Sequence, residues 1–466
     1  MQGKRNESPL TVRYPRCAGI DIGKKALFVA VSEEADDENV RSFATFTDEI
    51  ESMARWLDAC GVEQVAMEAT GVYWIPVYEI LDRAGFEVRL VDPCKTRRLD
   101  GRKSDVLDCQ WIRQLMSLGL LDGAYRAPDA FCALRSYVRQ RDRLIRDRSR
   151  QVQHMQKALT QMNVQLDNVL TDIVGKTGQA ILRAIVKGER DPDVLAEFRH
   201  RRVKASTEEV ARSLRGNWRD EHLHELEVAL RYFDFLSEQI ARLEELVAQQ
   251  TSLLCRLPEE SDPDTGVIME RKVSDLRHPC SSASDRKRQL ALWNVLGVDL
   301  TAITGVGLET AMLIASELGG DVSSFPTEKH FCSWLALAPN NHVSGGVVLK
   351  PSNRRKPNRI GQALRQCAVT VRRSQTWLGA KHRRRLARMD KAKAVKATAH
   401  EIARLIYAML RDGTEYVERS LDEFENEYRE RKFENLRRQA RSIGCELVPT
   451  AQRNPDQLAS QTWATA

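Results

Sequence analysis

The pattern of hydrophobic and polar residues over roughly the first quarter of the chain predicts short strands and amphipathic helices. An apolar segment at Ala18–Gly23 and an alternating one at Leu27–Val31 predict two strands joined by a tight turn. Later patterns predict strands at Val40–Phe46, Val62–Met67 and Phe86–Val91 and helices at Ile50–Leu57, Tyr73–Ala84 and Asp105–Leu121. Strands that first follow one another and then alternate with helices indicate a mixed sheet flanked by helices.

Beyond Pro128 the strand pattern gives way to a helical one. Apolar residues recur at alternating steps of three and four from Leu134 to Leu166 and again from Leu226 to Val247, which is the spacing of a heptad seam. Two long helices of this kind predict an antiparallel hairpin or a coiled-coil arm that joins two copies of the chain. Arg141 and Arg148 occupy seam positions, either because long aliphatic stems let their charged ends reach water, which is the commoner case, or because this end of the helices opens onto nucleic acid.

The fold class is therefore α/β followed by a mainly α-helical remainder, in five segments. We predict an α/β domain at 1–128, a helical coiled-coil region at 129–256, a polar linker or insertion at 257–289, a second compact and mainly helical domain at 290–417, and a charged helix with a mobile tail at 418–466.

Composition excludes several classes of protein. The chain has 466 residues, of which 42% are hydrophobic and 29% charged, and no apolar run reaches the roughly 18 residues that a membrane span needs. Met1–Pro15 lacks the apolar centre of a secretory signal. The ten cysteines are scattered singly, which argues against a disulfide scaffold and a zinc ribbon. We expect a cytoplasmic protein with reduced thiols.

Positive charge is concentrated in one part of the sequence. The net charge is +7, yet Ser344–Arg411 contains 18 Lys or Arg against only Asp390 and Glu401. A second run, Arg135–Lys157, has eight basic residues against two acidic ones on a predicted helix. Such segregation is typical of a surface that follows the phosphates of a nucleic acid. A single cluster such as Arg383–Arg385 is explained about equally well as a face exposed to solvent.

Four acidic residues are candidates for metal binding and catalysis. Asp21 lies on the first predicted strand, Glu68 ends a later one, and Asp105 and Asp108 share one face of a helix. Carboxylate oxygens of this kind suit Mg²⁺ or Mn²⁺, and two such ions activate the attacking oxygen and stabilise the leaving oxygen of a phosphodiester. An isolated Asp at a strand end is more often a turn or a helix cap.

A serine followed by two glycines is the second candidate for catalysis. Ser344-Gly345-Gly346 predicts a tight turn that exposes the hydroxyl. His342 could assist proton transfer, although a lone His at such a position is more often structural. Basic residues that follow are candidate nucleic-acid ligands: Lys350, Arg354, Arg355, Lys356, Arg359, Arg365, Arg383, Arg384 and Arg385. Taken alone, a Ser-Gly-Gly sequence is usually an ordinary loop.

A third motif is the turn Ile303-Thr304-Gly305-Val306-Gly307. Two glycines between apolar residues and two short predicted helices are typical of a helix-hairpin-helix segment, in which the amides of Gly305 and Gly307 grip a DNA backbone. A tight packing turn between helices explains the pattern equally well.

Together these motifs resemble one family, the DEDD transposases of bacterial insertion sequences, relatives of the Piv and MooV invertases and described as bridge-RNA-guided serine recombinases. The resemblance is carried by these segments: Gly19–Lys24, Met67–Gly71, Lys103–Asp108, Ile303–Gly307, Pro339–Gly345, Asn358 and Leu364–Arg365. The sequence departs from the family pattern at Pro357, a position commonly Gly, and in its polar insertion.

The resemblance implies a RuvC-like or ribonuclease-H-like first domain in which Asp21, Glu68, Asp105 and Asp108 hold Mg²⁺. It implies that Ser344 of the transposase domain attacks DNA to form a covalent phosphoserine. It further implies donor and target DNA as substrates, a structured noncoding guide RNA as partner, dimers that assemble into a tetramer through the coiled coil, and association with the bacterial nucleoid during activity.

Three other hypotheses for the function compete with the recombinase that the resemblance implies. The first is a RuvC-like Mg²⁺-dependent nuclease that activates water, with Ser344 an ordinary loop residue. The second is a non-catalytic RNA-binding scaffold, against which the full set of acids and the serine argue. The third is an actin-like kinase, which the Asp-Ile-Gly strand allows and for which the sequence lacks a second phosphate loop.

Overall fold

The computed structural model describes residues 11–69, 71–96, 104–255, 271–276, 278–339, 341–350 and 358–447. The chain divides into two compact units, Met1–Arg126 and Ala127–Ala466. None of the helices in these described ranges is long and apolar enough to span a bilayer.

The first unit is built on a five-stranded mixed sheet. Its strands are β1 (Cys17–Ile22), β2 (Ala26–Ala30), β3 (Val40–Ala44), β4 (Gln64–Glu68) and β5 (Glu87–Val91), and its helices are α1 (Thr47–Ala59), α2 (Trp74–Arg83), α3 (Pro93–Thr96) and α4 (Asp105–Ser117). The spatial order is β3-β2-β1-β4-β5, in which β1, β2 and β3 are antiparallel neighbours and β1, β4 and β5 are parallel neighbours. The predicted mixed sheet is confirmed.

Alternation along β1 separates two cores on opposite faces of this sheet. Ala18, Ile20 and Ile22 pack in the core that includes α1 and α2. Cys17 packs with residues of α4, including Ile112, in a second core. Because successive strand residues point to opposite faces, the odd-numbered positions of β1 all face α4.

The second unit begins with two long helices packed side by side. These are helix α5 (Asp129–Gln161) and helix α9 (Asp220–Leu253). Between them in the sequence lie three shorter helices, α6 (Lys176–Val186), α7 (Pro192–Ala196) and α8 (Thr207–Ser213). Lys157, near the C-terminal end of α5, pairs with Glu225, near the N-terminal end of α9. Arg141, in the first half of α5, pairs with Glu244, in the second half of α9, so the helices run antiparallel. The predicted hairpin is present, and a coiled-coil contact between copies stays a prediction.

Helices α6, α7 and α8 form a small bundle, the helical tip, at the end of the α5–α9 pair. The helical tip comprises residues 164–219 and has a core that includes Ile181, Leu195 and Val210. The heptad seam extends in sequence to Leu166, but α5 ends at Gln161. The helix stops there because Asn163 has a left-handed backbone with φ of 56°.

The rest of the second unit is mainly helical. Its elements are α10 (Ala283–Leu296), α11 (Leu308–Leu318), α12 (Glu328–Trp334), β6 (His342–Ser344), β7 (Val347–Lys350), α13 (Arg359–Val371), α14 (Trp377–Leu386), α15 (Lys391–Asp412) and α16 (Leu421–Ser442). Single 3-10 turns lie at Leu166–Asn168, Val273–Asp275 and Leu300–Ala302. Helix α10 begins inside the predicted linker, and α16 corresponds to the predicted charged helix. The predicted tail beyond 447 lies outside the described residues.

Candidate functional site

Two of the four predicted acidic residues lie side by side at one edge of the sheet. The parallel register of β1 and β4 pairs Ile20 with Met67, so the next residues, Asp21 and Glu68, lie side by side near the C-terminal ends of these neighbouring strands. By the alternation of each strand, both carboxylates lie on the face covered by α4.

Helix α4 brings the other two acids to the same edge. Gly19 of β1 lies against the backbone of α4, where a Cβ would overlap the Cys109 carbonyl and the Arg113 amide. Asp21 is two strand residues, about 7 Å, beyond Gly19. Asp105 is four residues, about 6 Å of helix, before Cys109. The N-terminus of α4, which carries Asp105 and Asp108, is therefore beside Asp21.

The carboxylates of Glu68, Asp105 and Asp108 all lie within electrostatic range of Asp21. The pKa of Asp21 is raised to about 6, first because the carboxyl group is partly buried and then because Glu68, Asp105 and Asp108 are negatively charged neighbours. The four acids predicted from the sequence lie on three separate elements, β1, β4 and α4, and the structure brings them together.

Glu68 has a partner that sequence reasoning missed. The hydroxyl of Thr96, in the short helix α3, donates to the Glu68 carboxylate, and the Trp111 indole nitrogen donates to the Thr96 carbonyl at 3.0 Å. Thr96 is 6% exposed. No local motif marks this threonine, because it reaches Glu68 only through the pairing of β4 with β5.

The acidic cluster fits a divalent cation by its chemistry. Four carboxylates supply hard oxygen donors, and their mutual repulsion, visible in the raised pKa of Asp21, is relieved by a cation. Within the described ranges no three His, Cys, Asp or Glu side chains already surround one position. Binding would therefore involve rotation of carboxylate side chains, and Glu68 could keep its hydrogen bond from Thr96 on one oxygen while the other faces the cation.

The candidate nucleophile lies in the second unit, at the tip of a two-stranded hairpin. Ser344 ends β6 and pairs with Val347 of β7. Gly345 and Gly346 form the turn with φ of 56° and 79°, the left-handed conformations that two-residue hairpin turns need and that glycine adopts freely. Ser344 is exposed, as the tight turn predicted. The side chain of His342 lies outside the described part.

The basic residues after the hairpin fall into two groups. The side chain of Lys350 and all of Arg354, Arg355 and Lys356 lie outside the described residues. Helix α13 is described, and Asn358 caps its start by accepting from the Gly361 amide at 3.2 Å.

Helix α13 lines a groove of about 540 Å³ together with α5. Arg359 and Arg365 of α13 and Arg146 of α5 contribute positive charge to it, and Asp142 contributes one carboxylate. The pKa of Asp142 is raised, mainly by burial, although Arg146, Arg141 and Arg359 lower it. Arg146 was not among the residues predicted as nucleic-acid ligands, although the basic run on α5 contains it.

The predicted cluster Arg383–Arg385 is engaged within the protein. Arg384 pairs with Glu425 at 2.5 Å and its guanidinium lies 3.6 Å from the centre of the Tyr428 ring. Arg385 pairs with Glu401 at 3.0 Å. Arg383 donates to the backbone carbonyls of Arg372 and Ser374. DNA contact by Arg384 and Arg385 stays a prediction, and it would require these ion pairs to open.

The glycine turn packs against α13 rather than joining two α-helices. Gly305 has φ of 91°, and a Cβ there would overlap the Val371 side chain. Gly307 caps α11, and nothing surrounds its Cβ position. The described turn connects a 3-10 turn to α11, so close packing accounts for Gly305, while the amide of Gly307 remains available for the predicted contact.

The buried seam arginine is paired on two sides. Arg141 is 9% exposed and its guanidinium contacts Glu244 of α9 at 2.8 Å and Glu309 of α11 at 2.7 Å. The prediction that the charged end of Arg141 reaches water is therefore wrong. Arg148 instead lies over the Phe233 ring at 5.7 Å.

Comparison with known proteins gives two family matches and one curated relative. A model described as "Transposase" matches residues 18–164, and a model described as "Transposase IS116/IS110/IS902 family" matches residues 299–404. Together the two ranges cover more than half of the chain. The relative is the "Insertion element IS110 uncharacterized 43.6 kDa protein" of Streptomyces coelicolor, 32% identical over 125 residues. The alignment spans 26% of this chain and 30% of the relative.

Proposed function

Because this chain belongs to the IS116/IS110/IS902 family of transposases, we propose that it is the transposase of an insertion sequence and cuts and rejoins DNA. The observation that carries this proposal is the grouping of the Glu68, Asp105 and Asp108 carboxylates around Asp21, whose pKa is raised to about 6 by burial and then by these three acids. A group of this kind, within a mixed sheet covered by helices, supports a RuvC-like catalytic domain.

Asp21, Glu68, Asp105 and Asp108 would hold Mg²⁺, with Mn²⁺ as a substitute. A divalent cation bound there stabilises charge on the attacking and leaving oxygens of a phosphodiester. Gly19 keeps α4 close enough to β1 for Asp105 and Asp108 to face Asp21. The Thr96 hydroxyl donates to one oxygen of the Glu68 carboxylate and so would hold this carboxylate in position for the cation.

Ser344 is the proposed nucleophile. Its hydroxyl loses a proton to a base, its oxygen bonds to phosphorus, and the bond from phosphorus to a deoxyribose oxygen breaks, leaving a sugar hydroxyl once that oxygen takes up a proton. Attack on the phosphoserine by a hydroxyl of a second strand restores the diester and frees the serine. The energy of the diester is conserved in the covalent bond, so rejoining needs no external source.

The partners follow from the family resemblance. A structured noncoding RNA would pair with donor and target DNA and so choose the sites. Copies of the chain would assemble as dimers and then a tetramer, with Ser344 of one copy acting beside the carboxylates of another. The abundance of arginine and the two basic runs support contact with nucleic acid.

A second candidate function is a RuvC-like nuclease in which the carboxylates activate water. Its support is the setting of Ser344, which is exposed on a hairpin tip, and whose hydroxyl has no hydrogen-bond partner among the described residues. Water attack forms no protein–DNA bond, so the two functions differ in one measurable product.

The deciding experiment uses a nicked suicide DNA substrate with Mg²⁺ and RNA from the native locus. We expect a protein–DNA adduct that survives denaturation, is lost in Ser344→Ala and is retained in Ser324→Ala, which alters another exposed serine of the same unit. Cleavage without an adduct, unchanged in Ser344→Ala, would establish the nuclease instead. Asp21→Asn should abolish cleavage while DNA binding persists.

A further inference from the structure

A basic groove lies in the part of the chain that neither family model matches. It belongs to the helical tip and has a volume of about 850 Å³. Its walls are the loop 167–172, the first turn of α6 and the loop 200–205. We call it the tip groove.

The charge of the tip groove is mostly positive and unneutralised. Lys176, Arg201, Arg202 and Lys204 line it and are exposed, and none of them has an ion-pair partner in the described part of the chain. The opposing loop contributes two aspartates, so cations outnumber carboxylates by two to one. A concave surface of one prevailing sign concentrates the field and attracts a polyanion.

The basic wall of the groove is held in place by internal hydrogen bonds. Arg199 donates to the carbonyls of Ala205 at 2.5 Å and Val203 at 2.8 Å. The amide of His200 donates to the Thr177 hydroxyl at 3.0 Å, which ties this loop to α6. A loop fixed in this way loses little conformational entropy when a ligand binds.

The lining favours the backbone of a duplex over a single strand. No Phe, Tyr or Trp lines the described groove, whereas single-stranded nucleic acids are held by bases stacked on aromatic side chains. Lysine and arginine side chains, by contrast, contact phosphates without reading bases.

The distance along the hairpin fits a flanking segment of DNA. Arg141, which contacts Glu309 of α11, and Gln161, at the tip end of α5, are separated by about 30 Å of helix at 1.5 Å per residue. A DNA duplex advances 3.4 Å per base pair, so this separation corresponds to about nine base pairs.

We propose that the tip groove binds the phosphate backbone of duplex DNA that flanks the segment held by the C-terminal part of this unit. This inference rests on the proposed DNA transposase function. It assigns to the unmatched helical tip the role of a second, sequence-independent contact that steadies the substrate about nine base pairs from the first.

The test compares two triple variants of the full-length protein that remove the same charge. Arg201, Arg202 and Lys204 are changed to Gln in the groove variant, and the exposed Lys187, Arg212 and Arg215 of the same tip are changed to Gln in the control. Binding of a labelled 40-base-pair duplex is measured by fluorescence anisotropy over a range of salt concentrations. We expect the groove variant to bind at least about tenfold more weakly at low salt, with a salt slope smaller by about two to three.

The control variant should bind almost as wild type does. Equal losses in both variants would show a general charge effect, and an unchanged groove variant would show that the cations face solvent; either result overturns the proposal. A loss confined to a single-stranded RNA probe of the same length would assign the groove to RNA and also overturn it. Failure of the wild-type protein to bind any DNA would instead refute the proposed function.

Discussion

The repulsion around Asp21 predicts that removing its charge stabilises the metal-free protein. The folded pKa of Asp21 is about 6, above the ordinary value of 3.8, because the carboxyl group is partly buried among other acids. An unfolded chain therefore releases this proton at lower pH than the folded one. The free energy of unfolding falls as the pH rises from about 4 to 6 and the penalty is then constant.

The size of the penalty follows from the shift in pKa. About two units correspond to about 3 kcal/mol at 1.36 kcal/mol per unit. The Asp21 side chain is only partly buried and solvent screens the interactions, so we expect about 1–2 kcal/mol at pH 7.5. Asp21→Asn removes the charge with little change of shape and should raise the free energy of unfolding by that amount.

The assay is urea unfolding of the full chain, with hydrogen exchange of peptides from β1 and β4 identifying the transition of the first unit. The gain in Asp21→Asn should vanish near pH 4, and the exposed Asp37→Asn should show no such change. Addition of Mg²⁺ at pH 7.5 should stabilise the wild type more than Asp21→Asn. An Asn variant that is no more stable at pH 7.5, or whose gain does not depend on pH, would refute the reasoning.

Three further predictions concern contacts that hold the fold and the site. Arg141→Met removes the ion pairs with Glu244 and Glu309 and should lower the free energy of unfolding by only about 1–2 kcal/mol in urea titrations, because both carboxylates are about half exposed and Glu309 keeps its pair with Arg288. Gly19→Ala forces α4 away from β1 and should cost about 1–3 kcal/mol and weaken Mn²⁺ binding measured by electron paramagnetic resonance. Thr96→Val removes the hydrogen bond to the Glu68 carboxylate and should cost about 1–3 kcal/mol of stability, measured in the same titrations.

Local patterns were sufficient to predict the five strands and the three longer helices of the first unit, but not the short helix α3. The period-two alternation of β1 and the helical period of α4 depend only on residues close together in sequence, so both elements lie close to their predicted positions. The grouping of the acids was not local. It depends on the parallel register of β1 with β4 and on the close approach at Gly19, which pairings between distant segments determine.

For the arginines of α14, local sequence was not sufficient to predict what their side chains contact. A run of three basic residues predicted a solvent-facing or DNA-facing surface, because a single sequence does not reveal its long-range partners. The partners are Glu401 on α15 and Glu425 on α16, which lie 16 and 41 residues away in sequence. Thr96 was missed for the same reason, since its contact with Glu68 spans 28 residues.

The charge of the C-terminal segment consequently overstates its capacity for nucleic acid. Of the 18 basic residues between Ser344 and Arg411, several neutralise acids within the fold, among them Lys381 and Arg385 on Glu401 and Arg404 on Glu328. Arg372 and Lys393, by contrast, are exposed and have no ion-pair partner among the described residues. Because the salt dependence of binding counts phosphates that are contacted, and not cations in the sequence, its slope should be well below the value that 18 contacts would give. The paired arginines neutralise acids within this unit, and we propose that the unpaired ones, including those of the tip groove, contact the nucleic acid.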